Sequence, residues 1–367
     1  MNFSFHFYGT FCAAVEAGFG KNDSWMIACA AQFVDDCSKT LLKKHGMSDR
    51  FPTYHANDEL VDMNKGFFGT PFPKEIPKVW TSFHFLPGNY TADEHYRETF
   101  RNTEYIDNHT QVELFKLMCM RNSYMVGKIV DKAKEVYLSD SKTDNQKLCY
   151  IGIVMHVLAD TFAHEYFVGT PSKAINECPW ITEYTSPDEF SPSSVQECGK
   201  KHYTYAPAFS ETSVGWLGHG RAGINPDIPN LKYFYAPNWN PNAKCDKNNP
   251  KLHLGAFVQM TDAMKFILDD LDNNSFDYKK ELTETEYNTE YSKKIRAILT
   301  SDGDEKNQSI KWIQHIMDTY SRSTPKYDAE ILASDNTFLT DFVNNADVHR
   351  EMVCEYCRHV APDLQYF

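Results

Sequence analysis

His156, Asp160 and His164 recur at four-residue intervals in the stretch HVLADTFAHEYF. Helical residues four apart differ by about 40° in azimuth, so on a helix these side chains share one face about 80° wide. Their neighbours Val154, Met155, Val157, Leu158, Phe162 and Phe167 are apolar, which predicts that the face is buried. Ionisable groups in such surroundings incur a desolvation cost unless something pairs with them. Imidazole and carboxylate together are the ligand set that suits zinc and similar divalent ions. The competing reading is local: both histidines hydrogen-bond nearby, and Asp160 caps or pairs with a neighbour. Taken alone, the triplet does not separate the two, because such spacings also arise by chance.

Other segments carry the same residue types. FSFHFYG sets His6 among aromatics, and SFHFLPG does the same for His84. AAQFVDDC ends an apolar helical stretch at Asp35 and Asp36. WLGHGRAGINPDIP places His219 between glycines, followed by Arg221 and by Asp227 between prolines. Singly these read as core histidines, a helix-end charge and a turn residue. Their recurrence in apolar, Gly or Pro settings favours convergence on a metal. Two other motifs are weaker. Cys354-x2-Cys357, flanked by His349 and His359, lacks the second ligand pair of a zinc knuckle and reads as one side of a helix. LDDLDNN and SDGDEKN do not fit an EF-hand calcium loop, and His109 reads as part of a helix cap.

The elements that must position these residues are mostly helices. Three- and four-residue apolar spacing predicts helices within 10–45, near 108–137 and 143–168, and again near 250–272, 284–300, 305–321 and 345–360. Residues 50–95 and 169–250 are rich in Pro, Gly and aromatics and read as long structured loops, a length that implies function. Strand-like alternation is sparse, so the predicted class is mainly α. With 367 residues, either one large domain with an extension or two domains are expected. Aromatic content of 14% and hydrophobic content of 42% supply a core. The formal net charge of -13 argues against a protein that coats nucleic acid, although not against an enzyme that meets phosphate through metal ions. The first residues lack the basic and apolar regions of a signal peptide, and no window reaches about 18 uninterrupted apolar residues. Scattered cysteines then favour reduced thiols, and the expectation is a soluble, cytoplasmic protein.

The order His6, Asp35, His84, His156-x3-Asp160-x3-His164 and His219 resembles the zinc-dependent phospholipase C superfamily, which also includes fungal single-strand-specific nucleases. More closely, FHFYGTFCAA, AAQFVDDC, FHFLP, GIVMHVLADTFAHEYF and GHGRAGINPDIP look like a bacterial family of uncharacterised proteins related to those enzymes. The resemblance covers about residues 1–272 and leaves 273–367 as a C-terminal helical extension packed on the main domain. It implies a multi-helix phospholipase C-like fold holding up to three zinc ions and cleaving phosphoesters. Carried over by position, Asp35, His84, His156 and Asp160 would hold one metal, and Asp160 would bridge to a second that His6 also binds. His164 and His219 would hold a third. The superfamily uses the free amine of a processed N-terminal residue, whereas here Met1 precedes His6. Its second helical histidine lies further from the aspartate than His164 does from Asp160. Its last histidine is followed four residues on by Glu, where Gly223 stands here, and Asp227 is the candidate substitute.

The chemistry so implied is attack of a metal-bound hydroxide on phosphorus, with cations neutralising the phosphoryl oxygens. Asp35 and Asp160 are the candidate catalytic residues, Asp35 orienting or deprotonating the water. Arg221 could hold a phosphate oxygen through its planar fork. Phe83, Phe85 and Trp216 lie next to ligand positions and are candidates to line a substrate pocket, although aromatics beside a buried site more often pack. A phosphodiester of the phospholipase C type is the leading substrate. A single-stranded nucleic acid is the second reading, and a non-enzymatic metal-stabilised protein, associating through its C-terminal helices, is the third.

Overall fold

Apolar side chains cover most of the circumference of residues 148–163, and that segment becomes the helix around which the others assemble. The computed structural model describes residues 1–55, 75–89, 109–184, 201–203, 217–239, 244–269, 274–321, 326–364 and 366–367. A π-helical stretch, Ser4–Gly9, runs into α1 (Thr10–Ala17). There follow α2 (Lys21–Asp36), α3 (Glu75–Phe83), α4 (Tyr124–Leu138) and α5 (Asp144–Ala163). Four short antiparallel strands come next: β1 (Ile181–Glu183), β2 (Lys201–Tyr203), β3 (Lys232–Tyr235) and β4 (Cys245–Asn248), in the order β2-β1-β3-β4. The main helices after them are α6 (Asn249–Leu268), α7 (Glu290–Leu299), α8 (Glu305–Tyr320) and α9 (Asn336–Val360). The protein is mainly helical, as the apolar spacing predicts.

Several local expectations are corrected. The described part of the 50–95 loop contains α3, whose Pro77 sits in the first helical turn, where the missing N–H costs no bond. The single helix expected near 108–137 is two, His109–Lys116 and α4, separated by a break in which Asn122 takes a positive φ of 52°. The loop-rich region 169–250 holds the small sheet, whose three- and four-residue strands are too short to show alternation. The last helix begins at Asn336, nine residues before its expected start, capped by the Asp335 carboxylate accepting from the Thr337 and Phe338 amides.

α5 is closed at its start by a reciprocal cap. Thr143 Oγ1 accepts from the Gln146 amide, and the Gln146 side chain accepts from the Thr143 amide. Its packing against α2 depends on Gly152. A Cβ there would stand 2.4 Å from the Ile27 carbonyl oxygen and 2.6 Å from the Ala30 Cβ. The two backbones therefore approach closely, and one turn further along each helix Asp35 and His156 come face to face. The helices from 273 onward enter the same apolar core. Phe33 of α2 meets Phe338 and Phe342 of α9 edge-on at 5.2 and 4.8 Å, and Trp312 of α8 stacks on Phe257 of α6 at 6.4 Å. Among the described residues, no helix is long and apolar enough to cross a membrane.

Candidate metal centre

His6 reaches the centre from the π-helical stretch, a wider winding found often at functional positions. Asp35 comes from the last turn of α2, His84 from just past α3, and His156 and Asp160 from α5. His164 directly follows the last turn of α5 and keeps to the side of Asp160, its Nδ1 3.6 Å from Asp160 Oδ2. It is the residue that caps the helix, with φ -93° and ψ 8°, and its ring meets that of His219 in the 217–228 segment, the centroids 4.6 Å apart. There Gly220–Ala222 and Asn225–Asp227 form two short 3-10 turns that carry His219 and Asp227.

These residues form three groups whose ligand atoms lie close enough to hold a metal ion: His6, His156 and Asp160; Asp35, His84 and His156; and His164, His219 and Asp227. Asp160 links them. Its Oδ1 lies 3.1 Å from His6 Nε2 and also meets the Met1 amine, while its Oδ2 lies 3.3 Å from both His84 Nδ1 and His156 Nε2. Asp35 Oδ1 stands 3.8 Å from His84 Nδ1 and 3.7 Å from His156 Nε2. In the third group Asp227 Oδ1 is 2.9 Å from His164 Nε2, and its Oδ2 is 3.4 Å from His219 Nε2. The Met1 amine, 3.1 Å from Asp227 Oδ1, joins this group to Asp160. No motif in the sequence marks this placement of Met1.

The outer nitrogens of three histidines are spoken for. His84 Nε2 donates to the Thr53 carbonyl at 2.9 Å, His164 Nδ1 to the His84 carbonyl at 2.7 Å, and His219 Nδ1 to the Gly223 carbonyl at 2.7 Å. A carbonyl only accepts, so each of those nitrogens carries the hydrogen, and in the neutral ring the inward nitrogen is a bare lone pair. Those lone pairs face the rest of the cluster: His84 Nδ1 lies 3.4 Å from His156 Nε2, and His164 Nε2 lies 2.9 Å from a carboxylate oxygen. A cation between them, whether a proton or a metal ion, would satisfy both contacts. Histidines that donate outward to carbonyls and point a lone pair inward are the usual arrangement around a bound metal.

The electrostatics agree. Three carboxylates face one ammonium in a mostly buried site, a charge excess that is costly without further cations. Burial pushes His6 well down and His219 down to about 4, so protonation at those rings does not supply the missing charge near neutral pH. Burial would raise Asp160, but His164 and the Met1 amine around it hold the carboxyl well below its usual range. Burial likewise opposes the charge on Asp227, which the Met1 amine and His219 hold well down. The Met1 amine, lowered by burial alone, is raised to about 11 by Asp160, Asp227 and Asp35. His84 is raised, its hydrogen bond to Asp160 and the charge of Asp35 outweighing burial. Asp35 is raised by burial of its carboxylate, although 27% of its side chain meets solvent. Asp35, with Asp227 at 23% and His219 at 17%, forms the open side of the centre; Asp160 at 2% is its floor.

The other sequence candidates fall in different places. Asp36 turns away, accepting from Tyr327 Oη at 2.6 Å and Gln32 Nε2 at 3.1 Å, which leaves Asp35 as the inward carboxylate. Phe85 is fully buried and stacks on His164 at 4.8 Å; Phe83 is fully buried against His349 of α9 at 5.5 Å, facing away from the ligands. Arg221 Nε stands 3.6 Å from Glu177 Oε1. Trp216 lies outside the described residues. Cys354 and Cys357 are buried in α9 and join no metal-holding group among the described residues. Sequence reasoning did not single out Tyr54 and Trp80, which lie partly exposed beside His84 at 6.0 and 5.6 Å. A separate cavity of about 610 Å³ lies between α6 and residues 274–286, lined by Phe162 and Arg121. No metal-group residue lines it, and its Lys280 is already paired with Asp262 and Glu286 at 2.7 Å each.

A family model described as a family of unknown function (DUF6765) matches residues 1–357. The chain belongs to DUF6765. The match runs through α7 and α8 and most of α9, well past residue 272. Comparison with curated proteins and with solved structures gives no match.

Proposed function

We propose that this DUF6765 chain is a zinc-dependent phosphoester hydrolase, acting on a phosphodiester in the manner of phospholipase C. The observation that carries the reading is the set of inward lone pairs and carboxylates, fixed by outward hydrogen bonds, around an open side at Asp35. His6, Asp35, His84, His156 and Asp160 would hold two ions and His164, His219 and Asp227 a third, the Asp227 carboxylate standing in for the Glu absent at Gly223. Divalent ions at such positions lower the pKa of water and neutralise charge building on phosphoryl oxygens.

The residues of the chain do the rest. Asp160 lies 3.1 Å from His6 Nε2 and 3.3 Å from both His84 Nδ1 and His156 Nε2, and so fixes the spacing between groups. Asp35, at the open edge, is placed to orient an attacking water and accept its proton. Tyr54 and Trp80 flank His84 on that partly exposed side and offer flat apolar faces to a leaving group. The acidic net charge of -13 favours a small head-group ester over a long polyanionic strand.

Elemental analysis of the purified chain, followed by parallel assays on a lipid head-group diester and on a single-stranded oligonucleotide, tests the reading. Bound zinc with head-group release is the expected result. Zinc with oligonucleotide cleavage alone would move the substrate to nucleic acid. A zinc-loaded chain that cleaves neither would overturn the hydrolase assignment.

A further inference from the structure

The third metal group differs from the others in having no helix under its carboxylate. Asp227 ends a three-residue 3-10 turn in a segment bounded by Pro226 and Pro229. Something else must hold it in register with His164 and His219. That support comes from Asn249, the first residue of α6, which is buried at 1% exposure. Its Nδ2 donates to the Asn225 carbonyl at 2.7 Å and the Ile228 carbonyl at 2.8 Å, with the Pro226 carbonyl at 3.4 Å. These are the carbonyls on either side of Asp227. Asn249 is itself fixed from both directions. Its amide donates to the Leu231 carbonyl at 3.2 Å, and its own carbonyl accepts from His253 Nδ1 at 2.9 Å, one turn along α6.

We infer that Asn249 is the positioning residue of the third metal group, its side-chain amide wrapping the 225–228 turn so that Asp227 meets His164 and His219. It touches neither metal nor substrate and acts through Asp227. An amide suits the task because it brings two N–H donors to a patch of carbonyl oxygens whose contacts within the turn are long, Ile228 N to the Asn225 carbonyl at 3.4 Å and Leu231 N to the Ile228 carbonyl at 3.2 Å. An aspartate there would place acceptor against acceptor. Outer-layer partners of this kind change metal affinity by about 10–100-fold when removed. The inference rests on the metal reading above.

The test loads the full chain with zinc alone and follows release to chelators of graded strength. Asn249→Ala is expected to weaken one zinc ion by about 10–100-fold and leave the others at wild-type strength. Asn249→Ser, which keeps a single short donor, falls between the two and serves if the alanine variant does not fold. The decisive arm uses Asp227→Ala. If Asn249 acts through Asp227, adding Asn249→Ala to that variant lowers zinc content no further. An Asn249→Ala chain that releases zinc like wild type, or a double variant that loses more than Asp227→Ala alone, overturns the inference and leaves the metal reading standing. A wild-type chain that takes up no zinc overturns both.

Discussion

The two ends of the candidate metal centre are built in contrasting ways. His6, Asp35, His156 and Asp160 are carried on helical turns whose spacing is set by the crossing of α2 and α5 at Gly152. His164, His219 and Asp227 stand on a helix cap and two 3-10 turns, held by hydrogen bonds from side chains and carbonyls. Backbone packing orients the first set, so its geometry is as stiff as the core. Individual polar contacts orient the second, which makes it the end that can be altered without disturbing the core. Both ends reach solvent, the first at Asp35 and the second at Asp227 and His219.

That contrast breaks most sharply at Asp160. Asp160→Ala removes the carboxylate common to both ends and leaves the Met1 amine and His6 buried without it. Loss of nearly all bound metal is expected, and the metal-free fold loses about 3–5 kcal/mol as well. Elemental analysis and urea unfolding would show both; a variant with its full metal complement would remove Asp160 from its bridging place. Asp227→Ala or His219→Ala should instead release one ion only and leave the metal-free fold near wild-type stability. If either empties the whole centre, the two ends are one cooperative unit and the distinction fails.

Two smaller effects probe the helical end alone. Gly152→Ala forces the Ile27 carbonyl and Ala30 away from α5, at a cost of about 1–3 kcal/mol. Because Asp35 and His156 lie one turn beyond, metal affinity at their group should fall with stability, while that of the third group holds. Equal weakening of all ions would sink this account. At His349, burial pushes the folded pKa down to about 4, against about 6.5 in the unfolded chain. Between those values the unfolded chain binds more protons, so stability drops as pH falls from about 6.5 toward 4, by about 1.4 kcal/mol per pH unit. His349→Gln should flatten that slope, and unfolding curves at pH 7 and 5 that stay parallel for both chains would count against it.

Smallest of all is Asp36→Asn. Its carboxylate faces Tyr327 and Gln32 rather than the centre, so metal content should not change and stability should shift by about 1 kcal/mol. Metal loss comparable to that expected of Asp35→Asn would mean the inward carboxylate has been misassigned.

The sequence by itself determined the helical class, because three- and four-residue apolar spacing is a local property that tertiary contacts reinforce. It also exposed the ligand types, since buried histidine and aspartate in apolar surroundings stand out wherever they occur. His156 and Asp160 could be placed on one face from spacing alone. Adjacent residues such as Asp35 and Asp36 could not be told apart, because their directions depend on where Tyr327, nearly 300 residues away, comes to lie. The same holds for the short strands, the break at Asn122, and the meeting of His164 with Asp227. Only the tertiary structure brought the Met1 amine between Asp160 and Asp227 and set Asn249 around the 225–228 turn. Those contacts join residues of separate segments through a few polar groups, and no periodicity in the sequence encodes them.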